Sequence, residues 1–97
     1  MALNLHLLRI FTSVATTRSF SQAAKQLYIS QPAVSRAVQE LERQVDVMLI
    51  DRSISTFTLT EAGRVLYQHG LQIFAAERAA ETALAELQGL VRGELTV

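Results

Sequence analysis

Nine positions between residues 62 and 90 constrain this chain more than any other feature. Ala62, Leu66, His69, Ile73, Ala76, Ala80, Ala83, Leu87 and Leu90 are separated by steps of 4, 3, 4, 3, 4, 3, 4 and 3. Alternating steps of four and three keep residues on one seam of an α-helix over successive heptads. Thr60 is placed to cap this helix, with Glu61 at its positive end. At 1.5 Å per residue the segment is roughly 40 Å long. The chain has 97 residues, which is enough for one modest core. Such a core can cover the Ala62 to Ile73 end but not Ala80 to Leu90. A second helix is therefore expected on the seam, and dimerisation through Leu66, His69, Ile73, Ala76, Ala80, Ala83, Leu87 and Leu90 is the reading. The small side chains of Ala76, Ala80 and Ala83 predict a close-packed pair.

The N-terminal half reads as shorter helices. Over residues 3–16, Leu7/Leu8, Phe11 and Val14/Ala15 form one helical face. Thr16 to Ser19 interrupts it. Ser19 with Gln22 three residues on predicts a capping box and a second helix, with Ala23, Ala24 and Leu27 inward. Tyr28-Ile29-Ser30 is the next break. Ser30 is a good N-cap, and Pro32 falls in the first turn of a third helix, where its missing N–H costs nothing. Val34, Ala37/Val38 and Leu41 form its apolar stripe, while Gln31, Ser35, Arg36 and Gln39 occupy the other face. Two short helices joined by about three residues make a helix-turn-helix. Residues 47–50 and 56–59 are rich in strand formers and predict a small hairpin around 51–55. Gly93 is a plausible helix stop. The extended pattern Glu94-Leu95-Thr96-Val97 reads as the start of a further domain.

The formal net charge is zero, with nine basic and nine acidic residues. The distribution is uneven. Residues 1–39 hold Arg9, Arg18, Lys25 and Arg36 and no acid, a balance of +4. Residues 40–97 hold five basic and nine acidic residues, a balance of −4. Phosphate responds to the local patch rather than the total, so the basic half points to nucleic acid. The competing explanation is chance clustering on solvated faces.

A helix fits the major groove of B-DNA, where every base pair shows a distinct donor and acceptor pattern. The first turns of the third helix carry the candidates. The Gln31 amide suits adenine, Pro32 and Ala33 suit a thymine methyl, and Ser35 can donate or accept. Arg36 suits a guanine edge or a phosphate. Ser21, Ser30 and the helix-start N–H groups suit phosphate. Lys25 on the second helix is expected to attract the backbone. Arg52, at the hairpin's edge, is expected at a phosphate or the minor groove, or else paired with Asp51 or Glu61. His6 is read as exposed, and His69 as a core or interface residue rather than a ligand.

Other chemistries find little footing. The chain has no cysteine, so disulfides and Cys-ligated metal sites are excluded. No Gly-rich phosphate loop or metal spacing occurs, and no Ser, His and Asp arrangement suggests a hydrolase. No enzymatic activity and no cofactor are expected. No apolar run reaches the roughly 18 residues that span a bilayer, and no secretory signal opens the chain. A cytoplasmic chain without a membrane partner is the expectation. A protein-interaction module using the long helix, with the helix-turn-helix as scaffold, is the alternative reading, and the basic half argues against it.

Three stretches resemble the LysR-type transcriptional regulators. They are Leu8-Arg9-Ile10-Phe11, the run SFSQAAKQLYISQPAVSRAVQELE at 19–42, and DRSISTFTLTEAG at 51–63. The middle run is the most specific, and GELTV at 93–97 resembles the family's passage into its effector domain. The resemblance implies a mainly α chain: a winged helix-turn-helix of three helices and a two-stranded wing over residues 1–59. A linker and dimerisation helix over 60–92 follows, then the start of an effector domain at 93–97. It further implies a dimer with antiparallel linker helices, a tetramer of full-length chains, and an inverted-repeat DNA operator. A small-molecule inducer would bind the effector domain. Base contacts are implied at Gln31, Pro32 and Ser35, with backbone contacts at Arg36 and Arg52. The chain departs from the family pattern in several places. Relatives often carry Leu-Gly at Val45-Asp46 and Phe at Ile50. The wing tip Ser53-Ile54-Ser55-Thr56 lacks basic residues and Gly, and Gln39 stands at a frequently basic position.

Overall fold

The computed structural model describes the backbone of residues 1–96 and the side chains of residues 1–89. Four helices follow in order: α1 (Leu5–Thr17), α2 (Phe20–Leu27), α3 (Gln31–Val45) and α4 (Glu61–Thr96). Each start is set by a short polar side chain that accepts an otherwise unpaired N–H. Asn4 accepts from Leu7 N at 3.1 Å, Ser19 from Gln22 N at 3.1 Å, and Ser30 from Ala33 N at 3.2 Å. Thr60 Oγ1 accepts from Gly63 N at 3.0 Å. The expected capping box at Ser19 is half realised. Gln22 does not return the bond among the described residues, and the Ser19 N–H instead donates to Thr17 Oγ1 at 3.3 Å.

The first three helices end on left-handed residues that are not glycine: Arg18, Tyr28 and Asp46, with φ of 57°, 57° and 55°. Each cap N–H returns to a carbonyl of the preceding turn. The turn bonds offset a conformation that a Cβ makes costly.

Leu8, Phe11, Val14, Val34, Val38, Leu41 and Leu49 are the largest fully buried side chains. They come from α1, α3 and the segment after α3. The small Ala23 and Ala24 of α2 are also buried, which lets α2 lie close against its neighbours. The wing is shorter than the sequence predicts. Ile50 and Leu59 form a single antiparallel bridge, with Asp51 N donating to Thr58 O at 2.8 Å and Thr60 N to Leu49 O at 3.0 Å. A two-stranded ribbon with little apolar area of its own holds only where other elements grip it.

Helix α4 joins the core through the seam residues Ala62, Leu66 and Ile73, as expected of that end, and through a neighbouring stripe that the heptad reading does not contain. Gly63, Gly70 and Phe74 are buried, and the Tyr67 hydroxyl lies 2.9 Å from Thr16 Oγ1. At Gly63 a Cβ would sit 2.0 Å from Leu49 O, and at Gly70 2.5 Å from Thr12 Oγ1. Glycine is required at Gly63, where α4 meets wing-root backbone, while at Gly70 the helix closes on the side chains of Thr12 and Leu8 of α1. The seam residues lie beside this stripe. Ala62, Leu66 and Ile73 are half-buried, whereas His69 and every residue from 75 to 89 are exposed.

Helix α4 runs through Gly93 to Thr96, so the expected stop at Gly93 and the extended pattern at 94–96 are not found. A strand needs a partner for its backbone groups, whereas a helix satisfies its own. Glycine within a helix costs only about 1 kcal/mol. Val97 and the side chain of Leu90 lie outside the described residues.

Candidate nucleic-acid interface

The phase of α3 decides what the molecule shows to solvent. Val34, Val38 and Leu41 are 0% exposed. Their inward position leaves Gln31, Pro32, Arg36 and Gln39 exposed and Ala33 and Ser35 half-buried. All of the α3 candidates therefore share the outer side of one helix. Ser30 Oγ accepts the Ala33 N–H, and its own hydroxyl proton stays available to an acceptor. On α2, Ser21 and Lys25 are exposed, with Ser21 Oγ 3.1 Å from Ser19 Oγ. No partner of Lys25 or Arg36 is found among the described side chains.

The charge balance of the first 39 residues overstates this patch. Arg9 lies on the α1–α4 side, donating to Glu77 Oε1 and Oε2 at 2.8 and 2.9 Å and stacking 4.3 Å from the Phe74 ring centroid. Its positive charge is spent within the fold. Arg18 donates to Phe57 O at 2.8 Å and lies over the Phe57 ring. Phe20 meets the same ring edge-on at 6.5 Å. Arg18 and Phe20 thus hold the second arm of the wing against α2.

The first arm is held by a residue that sequence reasoning missed. Glu42 of α3 is only 6% exposed. Its Oε2 accepts from Leu49 N at 2.8 Å and Ile50 N at 3.3 Å. Arg52 Nη1 donates to both carboxylate oxygens at 3.1 Å. The ion pair of Arg52 is therefore made with Glu42, not with Asp51 or Glu61. Asp51 instead accepts from the N–H and hydroxyl of Ser53, which hold its carboxyl below the usual range. The Arg43 guanidinium, bound to Glu40, lowers the Glu40 carboxyl likewise. A signal for Glu42 was present in the sequence, since it follows Leu41 and lies four residues after Val38, on the inward side of α3. Spacing alone does not say which groups would satisfy a carboxylate there.

Residues 5–64 match the sequence profile described as "Bacterial regulatory helix-turn-helix protein, lysR family". The "Probable RuBisCO transcriptional regulator" of Trichormus variabilis is 47% identical over 90 residues, covering 93% of this chain and 27% of that protein. The "RuBisCO operon transcriptional regulator" of Allochromatium vinosum is 38% identical over 97 residues, covering all of this chain and 32% of that protein. The chain thus spans about a quarter to a third of the curated relatives it matches. Among solved structures, the BenM DNA-binding domain in complex with catB site 1 DNA superposes with a TM-score of 0.81 at 28% identity. That match covers 88% of this chain and 96% of the other. DarR of Vibrio fischeri, also in complex with DNA, gives 0.78 at 29% identity over 93% and 31% of the two chains. With this profile over more than half of its length, the chain belongs to the LysR family of bacterial regulatory helix-turn-helix proteins, as a DNA-binding regulatory domain rather than an enzyme.

Proposed function

We propose that this domain binds duplex DNA sequence-specifically, as a homodimer on an inverted repeat, with α3 in the major groove. The observation that carries the reading is the orientation of α3. Its apolar residues point inward, while Gln31, Pro32, Arg36 and Gln39 stand exposed. Gln31 reads adenine through its amide, Pro32 and Ala33 contact a thymine methyl, and Ser35 bonds a base edge. Arg36, Lys25, Ser21, Ser30 and Gln39 fix the register on phosphates, and Arg52 does so from the wing root. The DNA complexes of BenM and DarR at similar folds support this assignment.

The free length of α4 supports the dimer. Leu84 and Leu87 are 62% and 61% exposed in the single chain. An open apolar groove of about 1080 Å³ continues the seam, with Leu3, Val47, Met48, Val65, Leu66 and Ile73 among its lining residues. A second α4 running antiparallel covers both and sets two α3 helices side by side on DNA. For a full-length cytoplasmic regulator the reading extends to a tetramer, with a small-molecule inducer in the effector domain.

Selection from random duplex DNA tests the reading. The selected site is expected to be pseudo-palindromic. Gln31→Ala should relax preference at one base position by about 1–3 kcal/mol, and Arg36→Ala should weaken binding to all sequences. Equal affinity for every sequence, before and after Gln31→Ala, would refute the readout assignment.

A further inference from the structure

We infer that Glu42 is a positioning residue for DNA binding, acting through Arg52. The inference rests on the reading that α3 and the wing root face duplex DNA. Two observations carry it. Arg52 Nη1 is held by both oxygens of a carboxylate that is itself fixed by the Leu49 and Ile50 N–H groups. The N–H groups on Nη2 and Nε have no partner among the described residues, and the Arg52 side chain is 38% exposed. One edge of the guanidinium is anchored while the other is open.

Arg52 lies beside the candidate reading surface. Ser35, Gln39 and Glu42 follow one another at helical spacing along α3. Arg52 shares with Gln39 and Glu42 a groove of about 490 Å³ between that helix and the wing root. A planar donor fork whose orientation is set in advance loses little freedom on binding a phosphate. Glu42 offsets the long-range field of Arg52, while a phosphate on the open edge is still neutralised at contact. The pair therefore contributes local geometry rather than long-range attraction, and that distinction makes the inference testable.

A purely electrostatic role predicts that Glu42→Gln tightens DNA binding, because one negative charge is removed. A positioning role predicts the opposite. On a duplex selected from random DNA, Glu42→Gln is expected to weaken binding about three- to tenfold, and Arg52→Ala about tenfold. The slope of log affinity against log salt should fall by about 0.9 in Arg52→Ala, the signature of one lost phosphate contact. In the Arg52→Ala background, Glu42→Gln should cost nothing further, since the amide oxygen still accepts the Leu49 and Ile50 N–H groups and no fork remains to be oriented. A scaffold role confined to the wing would still cost affinity there. Arg52→Lys keeps the charge without the planar fork and should bind like Arg52→Ala, which decides the matter even if Glu42→Gln does not fold.

Three outcomes overturn the inference: an unchanged salt slope in Arg52→Ala, wild-type affinity in Arg52→Lys, or a further loss in the double variant. Failure of the wild-type domain to bind any duplex at low salt overturns instead the reading beneath it.

Discussion

Replacing Gly63 with alanine tests the close approach of α4 to the wing root. The added Cβ would lie 2.0 Å from Leu49 O, 2.9 Å from Leu49 C and 3.3 Å from Leu49 Cα. All three are backbone atoms, so no side chain can rotate away. Restoring an ordinary contact, which for a Cβ begins at 3.4 Å, needs a shift of about 1.4 Å between helix and wing. The same carbonyl accepts the Thr60 N–H at 3.0 Å, and Leu49 is 1% exposed. The shift therefore costs about 1 kcal/mol for a weakened hydrogen bond and about 2–3 kcal/mol for overpacking. Helix propensity returns about 1 kcal/mol of this. The net expectation is destabilisation by about 2–3 kcal/mol. For a domain of this size that lowers the melting temperature by about 8–24 °C. Gly89→Ala is the control, because a Cβ there meets nothing within 4 Å. The same chemical change should there stabilise by up to about 1 kcal/mol. Thermal unfolding followed by circular dichroism, at matched concentrations because a dimer's melting depends on concentration, measures both. A Gly63→Ala variant melting at or above the wild type would refute the geometry.

Further expectations follow from the other elements. Asp46 holds a left-handed conformation with φ of 55°, so Asp46→Gly should stabilise by about 0.5–1 kcal/mol in denaturant unfolding; a loss would mean that the Asp46 side chain makes a favourable contact of its own. Ala80→Glu places a charge on the exposed seam of α4; it should abolish the proposed dimer in analytical ultracentrifugation with little change to the monomer's helix content. Glu40 and Asp51 are held below their ordinary carboxylate range, by Arg43 and Ser53. Their contribution is present above the unfolded-state values and lost as pH falls through the lowered folded ones. Acid unfolding should therefore be shifted to higher pH in Ser53→Ala, and an unchanged acid limb would contradict this.

Much of the fold is legible in local sequence, because caps and apolar periods act within a turn or two of chain. Asn4 lay outside that reading, but Ser19, Ser30 and Thr60 each cap the helix they were expected to start. Val34, Val38 and Leu41 face inward as their spacing requires. The outer side of α3 then follows without further information, since a helix that buries one stripe must expose the other. The uneven charge was a weaker guide. It could not show that Arg9 is neutralised by Glu77, 68 positions away.

What tertiary structure alone decided are the matters that depend on two distant segments meeting. Glu42 is a buried clamp only because the wing root brings Leu49, Ile50 and Arg52 to it. Gly63 and Gly70 mark a second stripe of α4 because Leu49 and Thr12 approach them. The heptad spacing of that helix describes one seam and is silent on the neighbouring stripe. Periodicity records which residues share a face of one element, whereas the partner of that face is set by how the whole chain closes. Local rules therefore determined the helices and the surface of α3, and long-range packing determined how the wing is gripped and how α4 is seated.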